Sequence, residues 1–287
     1  MTEPAQKCLL SLGHGYSARA LAQRLAPEGW QIVGTTRSEA KLSAPHAEMH
    51  LWPGTDLTPL IARASHILLN AGPNVEGDPF LPQIGSNLAQ NPPKWLGYLS
   101  TTGVYGDHAG AWVSEATPVA PSTRRGALRT KAETAWQALA AAHSLPLHIF
   151  RLAGIYGPGR GPFSKVRNGT ARRIIKPGQV FSRIHVDDIA QVLHASMMAP
   201  DPGAIYNLCD DDPAPPQDVI AHAASLLNMP VPPEIPFEQA DLSPMARSFY
   251  AESKRVSNER IKRDLGIKLL YPSYRDGLAA LLAEEQG

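Results

Sequence analysis

Short apolar runs alternate with helical patterns along the N-terminal part of the chain. The runs lie at residues 7–12, 31–34, 49–52, 66–70, 95–100 and 147–152. Before the last of them, residues 127–142 carry Leu128, Ala132, Trp136 and Leu139 at helical spacing. Strands that alternate with helices in this way predict an α/β fold with a doubly wound parallel sheet of the Rossmann type.

The predicted strands end in breaks rich in small and polar residues. The breaks begin at Gly13, Thr35, Ala71, Thr101 and Ala153. Ligands of doubly wound sheets bind beyond the carboxyl ends of the strands, so we expect the five breaks to line one crevice.

The first break has the spacing of a phosphate-binding turn. Residues 13–18 are Gly-His-Gly-Tyr-Ser-Ala, between a predicted strand and a predicted helix. Gly13 allows a sharp turn, Gly15 lets the backbone approach a pyrophosphate, and Ala18 lets the helix pack closely on the strand. The N–H groups and the dipole at the helix start favour phosphate, so the segment predicts a dinucleotide site rather than a turn without ligand.

The second break indicates which dinucleotide is preferred. NAD-binding proteins usually place an acidic residue there for the ribose hydroxyls, whereas this chain has Arg37 after Thr36. A cation suits the 2′-phosphate of NADP, and a solvated surface charge is the alternative. The sequence therefore predicts NADP in preference to NAD.

Beyond residue 160 the pattern is less regular. Strands are predicted at residues 180–186 and 204–208, and helices at 189–198, within 213–228 and at 256–265. Asp187 or Asp188 is expected to cap the first of these helices. We expect a dinucleotide-binding core at residues 1–160, while residues 161–287 add further core elements and a smaller interleaved region that covers the substrate.

Composition and charge narrow the class of protein. Of 287 residues, 43% are hydrophobic and 18% are charged, which is typical of a globular protein with a sizeable core. A net charge of +1 without a long basic run argues against nucleic acid as a partner, and no apolar stretch is long enough to cross a membrane. Cys8 and Cys209 are far apart and are expected to be buried free thiols. We expect a cytoplasmic monomer or homodimer that binds a small-molecule substrate.

Several segments together resemble one family. They are residues 13–18, 99–106, 156–158, 183–190 and 206–208, which follow in the family's order. The chain resembles the extended short-chain dehydrogenases/reductases, which include nucleotide-sugar epimerases and dehydratases. The closing run, from residues 254–258 to 271–272, is similar to an atypical subgroup of the NAD-dependent epimerase/dehydratase family. The resemblance implies a nicotinamide cofactor and a redox or epimerase-like activity.

The resemblance also implies a set of catalytic residues, of which one is missing. In the family, a Tyr and a Lys four residues later share one helix face, where the ammonium favours the phenolate, and a Ser or Thr follows the preceding strand. Thr101 takes the Ser/Thr position and Lys131 takes the Lys position. The residue four before Lys131 is Ala127, so the usual acid is absent.

Residues near the missing acid have two interpretations each. Tyr156 is the better candidate to replace the acid, since the resemblance implies a packing role for Tyr105. Lys131 either relays a proton or only contacts the nicotinamide ribose. Three arginines lie near the missing acid: Arg124, Arg125 and Arg129. They form either a surface cluster or a site for an anionic substrate such as a phosphate or carboxylate.

The predicted site joins catalytic and cofactor-binding residues. The catalytic residues are Thr101, Lys131 and Tyr156. The cofactor-binding residues are Gly13, His14, Gly15, Tyr16, Ser17, Thr36, Arg37, Asn70, Ala71, Gly72, Ser100, Lys131, Gly154 and Ile155. The ten histidines show no metal-ligand spacing, so no metal site is predicted.

Two functions fit this set of residues. The first is an NADP-dependent oxidoreductase or epimerase-like enzyme, in which Thr101 polarises a carbonyl or hydroxyl of a nucleotide sugar or another carbonyl compound. The second is an NADP-binding sensor or interaction protein without turnover, since the sequence keeps the cofactor residues and lacks the Tyr.

Overall fold

Strands and helices alternate along the chain in a computed structural model that describes residues 7–286. The strands are β1 (Cys8–Leu12), β2 (Gln31–Thr36), β3 (Ser43–Ala44), β4 (Ala47–Leu51), β5 (His66–Leu69), β6 (Trp95–Thr101), β7 (Trp112–Val113), β8 (Leu147–Leu152), β9 (Gly154–Tyr156), β10 (Arg173–Ile175), β11 (Arg183–His185), β12 (Ile205–Leu208), β13 (Glu234–Pro236) and β14 (Arg255–Val256). The helices are α1 (Tyr16–Leu25), α2 (Thr58–Arg63), α3 (Leu81–Gln90), α4 (Arg124–His143), α5 (Phe163–Arg167), α6 (Val186–Met198), α7 (Pro216–Leu226), α8 (Pro244–Phe249), α9 (Glu259–Leu265) and α10 (Tyr274–Gln286). The predicted regions 1–160 and 161–287 extend at their outer ends, residues 1–6 and 287, outside the described residues.

Eight strands form one central sheet in the order β12–β8–β6–β5–β1–β2–β4–β3. Each neighbouring pair is parallel except β3 with β4. The strand order reverses at β1, with β2 and β4 on one side and β5, β6 and β8 on the other. This is the topological switch point at which doubly wound sheets bind ligands. The predicted Rossmann-type α/β fold is confirmed.

Helices cover both faces of the sheet, because its central strands carry apolar side chains on both faces. On one face, α1 and α6 contribute Leu21 and Leu193 to a buried core. On the other face, α3 and α4 contribute Ile84 and Trp136 to a second core. The carboxyl edge of the sheet is left for loops and for the C-terminal elements.

A third, smaller apolar cluster lies beyond the end of β8. It packs α5, α7 and α10 around Tyr156 through Phe163, Ala223 and Leu278. Two short parallel strand pairs, β10 with β13 and β11 with β9, accompany it. The boundary between the two predicted regions stays a prediction, since β12 and α6 follow residue 160 and belong to the main sheet and its core.

Most predicted elements are confirmed within a few residues. β8 has the predicted bounds, Leu147–Leu152. The predicted strand at residues 180–186 is too long, because β11 covers only Arg183–His185. The helix predicted at residues 256–265 begins later, since α9 covers Glu259–Leu265.

The predicted cap of α6 is wrong. The helix begins at Val186, and His185 is its N-cap residue. His185 Nδ1 accepts the N–H of Asp187 at 3.2 Å. Asp187 and Asp188 therefore lie inside the first turn, where a carboxylate still complements the helix dipole.

The structure bears on three points raised by the composition: the state of the cysteines, membrane-spanning helices and metal-binding groups. Cys8 and Cys209 are buried free thiols, as predicted. Within residues 7–286, no helix combines the length and the apolar character needed to cross a bilayer. Over the same residues, no group of three or more Cys, His, Asp or Glu side chains is arranged to hold a metal ion.

Candidate functional site

The turn between β1 and α1 is held from both sides. The N–H of Gly13 donates to Thr35 Oγ1 at 2.8 Å, and the Gly13 carbonyl accepts from Asn70 Nδ2 at 3.0 Å. Gly13 has a φ of +86°, and a Cβ at this position would lie 3.0 Å from Ala71 N. Glycine allows both the positive φ and the close approach, so the turn and the end of β5 form one cradle.

Helix α1 begins with N–H groups that have no acceptor within the helix. Arg19 N donates to the Gly15 carbonyl at 2.9 Å, so the N–H groups of Tyr16, Ser17 and Ala18 precede the first helical hydrogen bond. The first turn of α1 contains no acidic residue. These donors and the helix dipole favour phosphate, so the cradle fits the pyrophosphate of a dinucleotide.

His14 fills the space between the turn and β2. Its N–H donates to the Thr35 carbonyl at 2.8 Å, and its Cβ lies 2.8 Å from where a Cβ on Gly34 would be. The ring is buried, and neither ring nitrogen has a hydrogen-bond partner among the described residues. Burial, followed by the charge of Arg19, lowers the pKa of His14 to about 4. The imidazole is therefore neutral at pH 7.

We expect acid to destabilise the fold through His14. The unfolded chain protonates this histidine below about pH 6.5, whereas the folded protein keeps it neutral down to a pKa of about 4. Between these values the unfolded state binds more protons, so the free energy of unfolding falls by about 1.4 kcal/mol per pH unit from this residue as the pH drops. Urea titrations across this range should show a shallower pH dependence for His14→Gln than for the wild type. Equal slopes would contradict the prediction, because His66, with a pKa also lowered to about 4 by burial, is present in both proteins.

Thr36 and Arg37 lie at the carboxyl end of β2, the strand that pairs with β1. Thr36 Oγ1 accepts the N–H of Ser38 at 3.2 Å, which fixes the bend after the strand. Arg37 is exposed and has no hydrogen bond or ion pair with another residue of the described range. Its guanidinium is therefore free to bind a ligand.

A cleft of about 990 Å³ opens at the carboxyl ends of β6 and β8. Thr101 and residues 152–156, which include Gly154 and Ile155, form one wall. Residues at the start of α4 and from the segments 180–183 and 244–256 form the others. A volume of this size suits a small organic molecule.

Thr101 and Ser100 lie on opposite sides of the end of β6, because successive strand residues alternate faces. Thr101 lines the cleft, and its Oγ1 accepts the N–H of Gly103 at 3.2 Å. Ser100 is buried, and its hydroxyl donates to Glu133 Oε1 at 2.5 Å. Thr101 is therefore the member of the pair that can meet a ligand in the cleft, while the Ser100 hydroxyl joins β6 to α4.

Three charged residues of α4, spaced four residues apart, lie on its side toward the sheet. Arg125 lines the cleft, Arg129 contacts the ends of two strands, and Glu133 is buried against Arg151. Lys131 is exposed and, at 100° per residue, lies roughly 200° around the helix from Arg129. The structure therefore does not bring Lys131 together with Thr101.

Arg129 joins the ends of β5 and β6. Its Nη1 donates to the carbonyls of Leu99 at 2.7 Å and Ala71 at 3.3 Å, and to the Tyr98 hydroxyl at 3.0 Å. Its Nη2 lies 3.6 Å from the position of a Cβ on Gly72. A cation thus stands beside Ala71 and Gly72, two of the predicted cofactor residues.

Tyr156 lines the cleft, but its hydroxyl points to Ser273, just before α10. The hydroxyl donates to the Ser273 carbonyl at 3.4 Å, and the ring occupies the space that a Cβ on Gly277 would need. Burial raises the pKa of the Tyr156 phenol well above its ordinary value, and the charge of Asp210 adds to this effect. The phenol therefore holds its proton firmly at neutral pH.

Further charged and aromatic residues complete the cleft. The cations are Arg124, Arg125, Arg183 and Lys254, and the aromatic residues besides Tyr156 are Phe181, Phe249 and Tyr250. Lys254 Nζ donates to Glu252 Oε2 at 2.6 Å and to the Gly106 carbonyl at 2.7 Å. Arg183 Nη1 donates to the carbonyls of Phe181 at 2.8 Å and Ala214 at 3.1 Å. The arginines of α4 were predicted as a possible anion site. Arg183 and Lys254 belong to segments that carry the family resemblance, but no local pattern marked them, or the three aromatic residues, as part of a site.

Known proteins resemble this chain in sequence and in fold. The sequence profile of the NAD dependent epimerase/dehydratase family matches residues 86–209. Protein YeeZ of Escherichia coli strain K12 is 30% identical over 284 residues, which cover 91% of this chain and 95% of that protein.

Solved structures extend the comparison to the whole fold. A functionally unknown conserved protein from Silicibacter pomeroyi is 57% identical and has a TM-score of 0.92, with 98% of this chain and 100% of that chain covered. UDP-glucuronic acid 4-epimerase from Bacillus cereus, in complex with UDP-glucuronic acid and NAD, is 17% identical with a TM-score of 0.76. That match covers 97% of this chain and 99% of the epimerase chain, and it shows a shared fold.

Proposed function

Because the chain belongs to the NAD dependent epimerase/dehydratase family, we propose that it binds NADP at the turn before α1 and catalyses redox chemistry on a small molecule in the adjacent cleft. The observation that carries the proposal is the common position of two features at the carboxyl ends of the strands. The cradle around Gly13 offers free N–H groups to a pyrophosphate, and the cleft presents the Thr101 hydroxyl.

The residues of the chain divide the work between cofactor and substrate. A bound nicotinamide dinucleotide supplies or accepts a hydride. The N–H groups at the start of α1 bind its phosphates, and Arg129 beside Ala71 places a positive charge at the end of β5. In the cleft, the Thr101 hydroxyl hydrogen-bonds a carbonyl or hydroxyl oxygen of the substrate and orients it.

The substrate we propose is a nucleotide sugar or another carbonyl compound. The cleft volume of about 990 Å³ leaves room for either class. Following NADPH oxidation and substrate conversion across a panel of aldehydes, ketones and nucleotide sugars, together with NADPH binding, tests the proposal. NADPH binding with turnover supports it, and a protein that binds neither NADPH nor NADH contradicts it.

A second candidate function is an NADP-binding sensor or interaction protein without turnover. The arrangement of potential proton donors favours it: the Tyr156 hydroxyl is bound to Ser273, and Arg125 rather than a tyrosine lines the cleft from α4. NADPH binding with neither net oxidation of NADPH nor conversion of any member of the panel would favour this function over the first.

We expect Arg37→Asp to lower affinity for NADP far more than affinity for NAD. Arg37 is exposed directly after β2 and has no ion pair with another residue between 7 and 286. A charge-assisted hydrogen bond to the 2′-phosphate contributes about 1.5–3 kcal/mol, so its loss should weaken NADP binding by at least about tenfold. Isothermal titration with each dinucleotide measures the two changes. Equal losses for NADP and NAD would remove the 2′-phosphate role of Arg37.

A further inference from the structure

Arg125 brings unpaired hydrogen-bond donors into the cleft. Of the cations near it, Arg129 donates to the carbonyls of Leu99 and Ala71, and Lys254 pairs with Glu252. Arg124, which also lines the cleft, is exposed and, like Arg125, has no hydrogen bond or ion pair with a described residue. Arg125 has no hydrogen bond or ion pair with any residue of the described range, although a guanidinium carries five N–H donors. The guanidinium stacks near the Phe249 ring, whose centroid lies 5.2 Å from the Arg125 Cζ.

The surroundings of Arg125 leave its charge largely uncompensated. Burial lowers the pKa of Arg125, and the nearby charges of Arg129 and Arg160 act in the same direction, whereas Glu252 opposes them. An arginine still stays protonated at neutral pH. Arg125 is exposed at the rim of the cleft, and a cation with free donors and an excess of positive neighbours is stabilised by a bound anion.

Arg125 lies on the part of α4 that packs against the segment after β6, close to Thr101. Gly126, the next residue, packs so closely that a Cβ there would lie 2.5 Å from the Gly103 carbonyl. Gly103 in turn donates its N–H to Thr101 Oγ1. Arg125 and Arg129, four residues apart, thus occupy the face of α4 that is turned toward the cleft and the strand ends. Ala127 and Lys131, at which the resemblance places the Tyr and Lys positions, lie roughly 200° around the helix from them.

We infer that Arg125 is the anion-binding residue of the cleft, and that the substrate carries a carboxylate or phosphate next to an apolar or aromatic body. This inference rests on the proposed function, because it concerns the molecule that occupies the same cleft. The planar guanidinium binds two oxygens of a carboxylate or phosphate side by side. The aromatic rings of Phe181, Phe249 and Tyr250 face the remaining part of the molecule.

The Arg125 guanidinium gives α4 a role in the cleft that differs from that of a phenol. A guanidinium keeps its proton at neutral pH, so Arg125 supplies charge and hydrogen bonds rather than a proton. Arg125 is therefore a specificity-determining residue: it selects anionic compounds over neutral compounds of the same shape.

Three probes of similar size test this selection. Benzoate, phenyl phosphate and neutral benzyl alcohol are titrated by calorimetry into the full chain saturated with NADPH, so that the phosphate-binding turn is already occupied. We expect benzoate or phenyl phosphate to bind at least about tenfold more tightly than benzyl alcohol. The relative affinities of benzoate and phenyl phosphate tell whether a carboxylate or a phosphate is preferred.

Variants assign the effect to Arg125. Arg125→Gln should weaken binding of the anionic probe by about tenfold to a hundredfold, and Arg125→Lys should restore part of it. Arg263→Gln is the matched control, since it removes an arginine charge from α9, where the side chain is 71% exposed and pairs with Asp264. Binding in this control should equal that in the wild type.

The same titrations distinguish a failure of the inference about Arg125 from a failure of the proposed function on which it rests. NADPH binding by the wild type, with equal affinity for anionic and neutral probes or with no probe binding at all, overturns the role of Arg125 and leaves the proposed function in place. An Arg125→Gln variant that binds the anionic probe as the wild type does has the same consequence. Failure of the wild type to bind either NADPH or NADH overturns the proposed function instead. The probes are then titrated into the free protein, where equal affinity for anionic and neutral probes overturns the role of Arg125 as well.

Discussion

Glu133→Ala is expected to lower the free energy of unfolding by about 3–5 kcal/mol. Glu133 and Arg151 have side chains that are 4% and 5% exposed, and Arg151 Nη2 donates to Glu133 Oε2 at 2.7 Å. The same carboxylate accepts the Ser100 hydroxyl at 2.5 Å. Alanine leaves the Arg151 guanidinium buried without a counter-charge, and its bond to the Tyr105 hydroxyl at 3.0 Å does not neutralise it. Urea unfolding at neutral pH measures the loss.

A surface ion pair provides the matched control for Glu133. Glu285 and Arg167 also form a carboxylate–guanidinium ion pair, but their side chains are 43% and 45% exposed. Glu285→Ala should therefore cost at most about 1 kcal/mol. Equal losses for the two variants would show that burial of the Glu133–Arg151 pair does not matter to stability.

The central strands could be predicted from the sequence, but some of the helices that cover them could not. β1 and β8 are buried along their whole length, so each appears in the sequence as a mainly apolar run, interrupted by Ser11 in β1 and by His148 and Arg151 in β8. Helix α3 contains Gly85, which weakens a helical signal, and its N-cap residue is Phe80, which provides no capping side chain. It forms because Ile84 and Leu88 pack into the core beneath the sheet, which is a tertiary effect.

The glycine turn between β1 and α1 could be predicted from the sequence, because all of its parts are close together along the chain. Its strand, glycines and helix follow one another within residues 8–25, so the spacing alone places them. The rotation of α4 depends instead on residues far along the chain. Glu133 binds Ser100 and Arg151, which are 33 and 18 residues away, and these contacts turn Arg125 toward the cleft and Lys131 toward solvent.

The far wall of the cleft could not be predicted from local patterns either. Segments 180–183 and 244–256 meet the ends of β6 and β8 only in the folded chain. Contacts such as that of Lys254 with the Gly106 carbonyl, 148 residues apart, hold this wall in place. Helical or strand periodicity reports which face of an element is buried, and it carries no information on such long-range neighbours.

Gly106→Ala is expected to lower the free energy of unfolding by about 4 kcal/mol or more. Gly106 has φ +76° and ψ −152°, a region of backbone space that is essentially restricted to glycine. A Cβ at this position would lie 2.0 Å from the Ala120 carbonyl oxygen. That carbonyl belongs to backbone held in place by the hydrogen bond from Ala120 N to the Val104 carbonyl at 3.0 Å. The added methyl group can therefore be accommodated only by breaking contacts around the wall of the cleft.

Gly29→Ala separates the collision at Gly106 from the effect of a positive φ. Gly29 has the same φ of +76°, but a Cβ there would meet no atom within 4 Å. The free energy of unfolding of this variant should fall by only about 1–2 kcal/mol, the cost of a left-handed backbone at a residue other than glycine. Chemical denaturation of both variants gives the two losses, and the difference between them measures the clash with Ala120 together with the strain of the ψ of −152° at Gly106. If Gly106→Ala cost no more than Gly29→Ala, the backbone around Ala120 would have to move aside freely, which its bond to Val104 opposes.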